Sequence, residues 1–289
     1  MSIARSGARP LAPRDEAERE FHFTTADFKQ VKQRIYDNAG ISLADHKMDL
    51  VYNRLVRRIR ALNVAGFKEY FKYLDNTPDE YNNFINAMTT NLTSFYRESH
   101  HFEYISNVFL PQFAKNNQRK IRIWSSACSV GEEPYSIAIS LLESGINITN
   151  WQVEIYATDI DTNVLQTASN AVYPMDRIEG LSISRKKIGF LRGVGENKNN
   201  VLVRPEIRKW IKFSQCNLME EWPIREPLDI IFCRNVMIYF DKETQNRLLD
   251  RMEKLLRVGG LLCIGHSESP SRDMSNFKIL GRTMYQKIK

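Results

Sequence analysis

Two hydrophobic periods divide the chain. From residue 21 to about 90, apolar positions recur at helical spacing: Phe28, Val31 and Ile35, then Val51, Leu55, Ile59 and Leu62. Thr25 is placed to cap the first of these helices, which ends near Gly40, and Asp45 opens the second. Beyond residue 119, short apolar runs alternate with helical patterns. The strand-like runs are Lys120-Ile-Arg-Ile-Trp124, Trp151-Gln-Val-Glu-Ile-Tyr-Ala157, Leu228-Asp-Ile-Ile-Phe-Cys233 and Leu261–Ile264, the last following a Gly259-Gly260 turn. The helices between them cover Ile137 to Leu142, the stretch carrying Val164, Leu165 and Ala168, and Lys242 to Leu256. Strands alternating with helices predict a parallel sheet with right-handed crossovers.

The alternation breaks between about 180 and 214. There Ile188-Gly-Phe-Leu-Arg192, Val201-Leu-Val-Arg204 and Trp210-Ile-Lys-Phe213 read as short strands, separated by Gly193-Val-Gly195 and Asn197-Lys-Asn-Asn200 turns. A small antiparallel sheet inserted in the larger domain follows. The expected organisation is a tail over 1–20, an all-helical domain over 21–88, a linker over 89–118 and an α/β domain over 119–289. That last domain is doubly wound, mainly parallel and Rossmann-like, with the insertion at about 180–214. Arg, Glu, Ala and Pro dominate the tail, which is expected to be disordered.

Composition narrows the picture. At 289 residues and 43% hydrophobic the chain can bury a large core. No run approaches the roughly 20 apolar residues of a membrane span, and the N-terminus lacks a secretory apolar run, so a cytoplasmic protein is expected. The four cysteines at 128, 216, 233 and 263 lack metal-ligand spacing and read as buried thiols. His100-His101 lacks the cysteine or acidic cluster that would complete a metal site, so no metal is expected. The net charge of +7 favours an acidic partner. Ten Lys/Arg against six Asp/Glu between Phe21 and Asp75 leave a net of +4, so that stretch carries over half of the excess. Arg54, Arg57 and Arg58 share a helix face, with Arg60 beside them, and form a candidate docking surface; a merely solvated helix face is the alternative.

In an open α/β sheet, ligands bind beyond the carboxyl ends of the strands at the switch point. That selects Ser126 to Glu133 after the first strand, Asp159 after the second, and Asn235 and Tyr239 after the third. An acid such as Asp159 suits a ribose diol, in NAD or in S-adenosylmethionine alike. The first loop discriminates between them. It has one glycine, Gly131, instead of G-x-G-x-x-G, and it carries adjacent carboxylates, Glu132 and Glu133, which would repel a pyrophosphate and suit a cationic sulfonium. The alternative is that the pair only occupies a helix's first turn, where the dipole favours acids.

Five runs carry a resemblance. Asn53-Arg-Leu-Val-Arg-Arg58, Thr90-Asn-Leu-Thr-Ser-Phe-Tyr-Arg-Glu98, Gly131-Glu-Glu-Pro-Tyr-Ser136, Ala157-Thr-Asp-Ile-Asp161 and Phe232-Cys-Arg-Asn-Val-Met-Ile-Tyr-Phe240 occur in this order. With them the chain resembles the chemotaxis receptor methyltransferases, the CheR family, over nearly its whole length. The resemblance implies that S-adenosylmethionine is the cofactor, S-adenosylhomocysteine the product, and glutamate side chains of chemoreceptors the substrate. It implies that Asn91, Thr93 and Arg97 lie on a linker closing over the cofactor, and that Glu133 meets its amino-acid end. Asp159 would hold the ribose, Asn217 and Leu218 would flank the adenine, and Asn235 and Val236 would lie near the sulfonium. Arg97 and Tyr239 would orient the substrate carboxylate. Arg192, Gly193 and Gly195 match family members that capture a receptor's C-terminal peptide by strand addition. The expected partners are receptor cytoplasmic helices and that peptide, with no nucleic acid, no membrane insertion, a monomeric state and recruitment to receptor arrays.

A glutamate with a pKa near 4.3 is ionised at neutral pH and needs no general base to attack a sulfonium methyl. Placement is then the enzyme's task, which favours an orienting over a neutralising role for Arg97; a bridge from linker to sheet is the alternative role. Three rival functions remain. A nucleic-acid methyltransferase fits the charge but not the absence of an aromatic platform beside it. A non-catalytic receptor scaffold and an NAD oxidoreductase are the others, the latter disfavoured by the missing glycines.

Overall fold

A computed structural model describes residues 19–116, 118–148 and 150–289. The tail expected over 1–20 lies outside the described residues up to position 18. The chain forms two units, one of residues up to 35 with Leu43–Met88, the other of Tyr36–Ser42 with Thr89–Lys289.

In the first unit, α1 (Thr25–Ala39) begins at the residue expected to cap it, and the cap is Thr24, one residue earlier. The Thr24 hydroxyl accepts from Asp27 N (3.1 Å) while the Asp27 carboxylate accepts from Thr24 N (2.8 Å), a reciprocal capping box. Asp45–Lys47 makes a single 3₁₀ turn, and α2 (Met48–Leu62) starts beyond it. Val51, Leu55 and Ile59 bury as the helical stripe requires, Leu62 stays half-exposed, and Val56 joins the core. Helices α3 (Phe67–Asn76) and α4 (Pro78–Met88) complete the unit around Phe67, Tyr70, Leu74 and Phe84.

The second unit opens with α5 (His100–Tyr104) and α6 (Leu110–Lys115), joined by one π-helical stretch at Ile105–Phe109. Next come β1 (Lys120–Ser125), α7 (Glu132–Glu143), β2 (Gln152–Asp159) and α8 (Thr162–Asn170). The insertion holds β3 (Val172–Pro174), α9 (Ile183–Gly189), β4 (Phe190–Arg192), β5 (Asn200–Val203) and α10 (Pro205–Arg208). The chain ends with β6 (Ile211–Gln215), β7 (Leu228–Cys233), α11 (Lys242–Leu255), β8 (Leu256–Ile264), β9 (Phe277–Gly281) and β10 (Met284–Lys287).

The main sheet has the order β6-β2-β1-β7-β8-β10-β9, parallel except for its last two strands. Ile123 lies between Ile155 and Ile230, and these central strands are apolar nearly throughout because both faces are covered. The small sheet has the order β3-β5-β4 and is antiparallel, as the breakdown of alternation predicted.

Its membership differs from the sequence reading. The Trp210–Phe213 run contributes β6 to the edge of the main sheet, where Ile211 and Phe213 run parallel to Ile155 and Ala157. The third strand of the small sheet is β3, three residues ending in a proline and too short to show a period. Gly259-Gly260 lies inside β8 instead of before it, where the pairing with β7 shifts register, as at a bulge. The β9–β10 hairpin gave no strand signal in the sequence reading.

Candidate functional site

The strand order reverses between β1 and β7, so their carboxyl ends and that of β2 open on one crevice. Each strand end is tied to the next by backbone. Ser126 N donates to Phe232 O (2.9 Å), Cys128 N to Thr158 O (2.9 Å), and Cys216 N to Asp159 O (3.0 Å). The last bond brings Asn217 and Leu218 within two residues of a strand end bearing Asp159.

The loop after β1 turns sharply. Ser129 (φ 50) and Gly131 (φ 92) both lie in the left-handed region. At Gly131 a side chain would be excluded twice over, because its Cβ would stand 2.8 Å from Ala168 Cβ and 2.9 Å from the Tyr173 hydroxyl. The turn aims Ser129 N at Asp159 Oδ2 (2.8 Å), while Asp161 N donates to Asp159 Oδ1 (3.0 Å). Asp159 is 7% exposed, and burial pushes its carboxyl up to about 6. Beside it, Asp161 caps α8 through Asn163 N (2.9 Å) and accepts from the Thr89 hydroxyl and the Asn91 amide, each at 2.7 Å. Ser129 Oγ donates in turn to Asn91 O (3.1 Å). Asn91 is thereby fixed over the β1 and β2 ends.

The two glutamates have distinct partners. Glu132 is buried and held by a fork from Arg177, Nε and Nη2 each at 2.7 Å. Glu133 accepts from the Ser125 hydroxyl (2.7 Å) and Arg234 Nη1 (2.8 Å). Burial raises both carboxyls, against the pull of their arginines. Each of the two carboxylates thus already meets a guanidinium within the fold.

Arg234 and Glu98 join the third strand end to the linker. The Arg234 side chain is 1% exposed, donates to Arg97 O, and pairs with Glu98 (3.2 Å). Glu98 receives His266 N (3.2 Å) and the Asn235 amide (3.4 Å). Glu268, buried, accepts from Gly265 N, Asn235 N, Met237 N and Ile238 N, and so shapes the turn that carries Asn235, Val236 and Tyr239. Arg97 itself uses one guanidinium nitrogen on Leu92 O (2.7 Å), and its side chain is half-exposed.

These contacts gather Asn91, Arg97, Glu133, Asp159 and Asn235 in one network of the second unit. The Thr93 side chain is half-buried, and it is the Thr93 carbonyl that takes Arg177 Nη2 (2.8 Å). The Asn217 side chain serves its own loop, accepting from Met219 N (3.0 Å) and donating to Asn38 O (2.5 Å) and Glu220 (3.0 Å). The remaining expected residues lie elsewhere. Arg192 is exposed at the end of β4, with Gly193 and Gly195 in the following turn. In the helical unit, Arg58 makes a fork to buried Glu80 (2.9 and 2.6 Å), Arg54 donates to Met88 O (2.6 Å), Arg60 pairs with Glu20, and Arg57 is exposed.

Sequence reasoning assigned no role to Asp161, Arg177, Arg234, Glu98 and Glu268, and took Ser129 only as part of the loop after the first strand. Arg234 carried a usable signal, a cation placed directly after the four apolar residues Ile230–Cys233. Glu268 carried none, because its role depends on a turn 30 residues earlier. The crevice fits the cofactor that the resemblance implies. Asp159 spends one backbone donor on each oxygen, and Ser126 Oγ is buried without a hydrogen-bond partner.

Two family descriptions cover the chain. The all-alpha domain of CheR methyltransferases matches residues 26–89, and the SAM-binding domain of CheR methyltransferases matches residues 91–286. Chemotaxis protein methyltransferase 2 of Pseudomonas aeruginosa is 49% identical over 267 residues, covering 92% of this chain and 94% of that protein. The chemotaxis protein methyltransferase of Salmonella typhimurium is 46% identical over 90% of this chain and 89% of its own. That of Escherichia coli is 43% identical over 90% of each. The chain belongs to the CheR methyltransferase family, as an S-adenosylmethionine-dependent methyltransferase of chemotaxis.

Proposed function

We propose that the chain methylates glutamate side-chain carboxylates of chemoreceptors, forming methyl esters for adaptation. The observation that carries this reading is the state of Arg97. Its carbonyl is held by Arg234, and its guanidinium has one protein acceptor, Leu92 O, among the described residues. A half-exposed cation with unspent donors, on the segment tied to Glu133 and Asn235, suits an incoming carboxylate.

When bound, the cofactor supplies an electrophilic methyl group on a sulfonium. The chain's residues supply placement. Asp159 accepts hydroxyl donors of the ribose, and its two backbone donors keep it aimed. Asn91 and Thr93 lie over the cofactor, Glu133 toward its amino-acid end, and Asn217 and Leu218 along the adenine. Asn235 and Val236 stand at the reacting end. Arg97 and Tyr239 orient the substrate carboxylate, which arrives ionised and needs no base. Attack cancels two charges, so a contact tight enough to trap the carboxylate would slow the step. An Arg97 that shares its donors between Leu92 O and the substrate meets that requirement.

Docking would follow from charge and from a free strand edge. Arg57, with Arg60 beside it, gives the helical unit an exposed cationic surface for acidic receptor helices; Arg54 and Arg58 support that helix from within. Strand β4 is an edge of the small sheet, and Val194 beside it is 82% exposed, which suits addition of a receptor's C-terminal peptide. Both contacts would recruit the protein to receptor arrays.

Methyl-tritiated S-adenosylmethionine incubated with receptor-bearing membranes tests the reaction. Counts on the receptor band, released as methanol by mild base and lost in Asp159→Ala, are expected. Base-stable counts would refute ester formation and point to a nitrogen or nucleic-acid acceptor.

A further inference from the structure

One face of α7 carries Glu132, Ser136, Ser140 and Glu143, spaced four, four and three residues apart. Glu132, Ser136 and Ser140 are fully buried, an unusual stripe for a core helix. Besides bonds within the helix and a pair from Glu143 to Arg185 (2.9 Å), this stripe meets one segment, residues 93–97. Tyr96 N donates to Ser136 Oγ (3.0 Å), and the Tyr96 hydroxyl donates to Glu143 (3.1 Å), with Ser140 Oγ, itself donating to Ser136 O (2.8 Å), 3.3 Å away. At the N-terminal end of the stripe the connection passes through arginines. Glu132 holds Arg177, which donates to Thr93 O (2.8 Å). Its neighbour Glu133 holds Arg234, which donates to Arg97 O. Adjacent carboxylates in one helical turn thus point two guanidinium groups at the two ends of a five-residue segment.

The segment does not hold this shape unaided. Tyr96 (φ 54) and Glu98 (φ 57) sit in the left-handed region, each at a cost on the order of 1 kcal/mol or more, so outside contacts must impose it. Arg177 comes from the 3₁₀ turn Met175–Ile178 directly after β3, and Arg234 directly follows β7. Arg234 is buried over the Phe102 ring (5.6 Å), with its Nε unpartnered.

We infer that Arg177 and Arg234 are positioning residues that clamp the 93–97 segment onto α7 and thereby seat Arg97 for cofactor and substrate. Neither needs to touch the reacting atoms. A carbonyl acceptor at each end requires a donor with two directions, one for the glutamate and one for the segment. A guanidinium has this fork and an ammonium does not. The inference rests on the proposed place of the segment at the cofactor.

Arg177 is the variant of choice, because its side chain is 39% exposed and it comes from a 3₁₀ turn outside the main sheet. Arg177→Lys keeps the charge on Glu132, and Arg177→Gln paired with Glu132→Gln removes both charges together. Hydrogen exchange of the Tyr96 and Arg97 amides, S-adenosylhomocysteine binding by calorimetry, and the split between kcat and receptor KM are the readouts. In both variants, exchange at 96–97 should rise about tenfold or more while β1 and β7 stay protected. S-adenosylhomocysteine affinity should fall by roughly tenfold, the worth of one charge-assisted hydrogen bond. The loss in turnover should exceed any change in receptor KM. Unchanged exchange at 96–97, or a rise shared by β1 and β7, would overturn the clamp. Arg97→Ala separates the clamp from the reading beneath it. If raised exchange leaves S-adenosylhomocysteine affinity unmoved in the Arg177 variants yet Arg97→Ala weakens it, the clamp does not seat Arg97. If affinity is unmoved in all of them, the segment is not at the cofactor.

Discussion

Asp159 shows how a single buried carboxylate couples burial, protonation and ligand. Desolvation raises its pKa from an unfolded value near 3.9 to about 6. The folded state therefore binds this proton more tightly than the unfolded chain. The stabilising contribution of protonation is complete below pH 4 and lost as pH rises through 6, at a cost of about 3 kcal/mol near neutrality. Ribose hydroxyls donate to the ionised form, so ligand recovers part of that cost. S-adenosylhomocysteine affinity should be flat above pH 7 and fall by up to roughly tenfold per unit below pH 6. Calorimetry across that range checks it, and an affinity independent of pH would remove Asp159 from the ribose contact. Legibility at this level was partial. Asp159, Asn235 and Glu133 follow strand ends and could be read from the chain. Arg177, Glu98 and Glu268 act across 30 to 137 residues of sequence, and no local pattern encodes such a pairing.

Among the elements, the small sheet was recognised with two of its strands, β4 and β5, but with the wrong third strand. The Trp210–Phe213 run has the alternation of a half-buried strand, and that pattern is the same at the edge of either sheet. Pairing with β2 decided it. The stretch after β4 was read as a turn, and the fold shows what crowds it. A Cβ on Gly193 would lie 2.0 Å from Asn197 O and 3.0 Å from Asn200 O, across the turn that joins β4 to β5. Gly193→Ala should open this turn, distort the β4 edge, and lower methylation of receptors that carry a C-terminal peptide by about tenfold or more. S-adenosylhomocysteine affinity should be unchanged, as should methylation of receptors lacking the peptide. Equal loss on both receptor types would mean a stability defect and no tether.

For the molecule as a whole, charge is the property that reaches farthest. Of the excess of +7, +4 falls between Phe21 and Asp75, but the arginines there are not equivalent. Arg58 neutralises buried Glu80, together with Tyr70 (3.1 Å) and Asn83 (3.0 Å), so replacing it would strand a carboxylate and unfold the unit before it tested docking. Arg57 has no such duty among the described residues. Arg57→Glu should raise the receptor KM several-fold at low salt, with less effect as ionic strength rises, and leave kcat and cofactor binding unchanged. An unchanged KM would remove this helix face from receptor docking.

Periodicity alone specified the helical unit, the parallel sheet and its interruption, because burial on one face or both dictates spacing along the chain. The strand ends then pointed to part of the crevice, Glu133, Asp159 and Asn235, since ligands gather where the sheet's order reverses. What the chain could not express locally was the pairing of charges. Glu132 and Glu133 read equally well as a helix's first turn or as partners for a cation. Folding settled the matter by bringing Arg177 from the insertion and Arg234 from the end of β7 against them. Buried carboxylates must find partners, and which cation arrives depends on how distant strands are brought together.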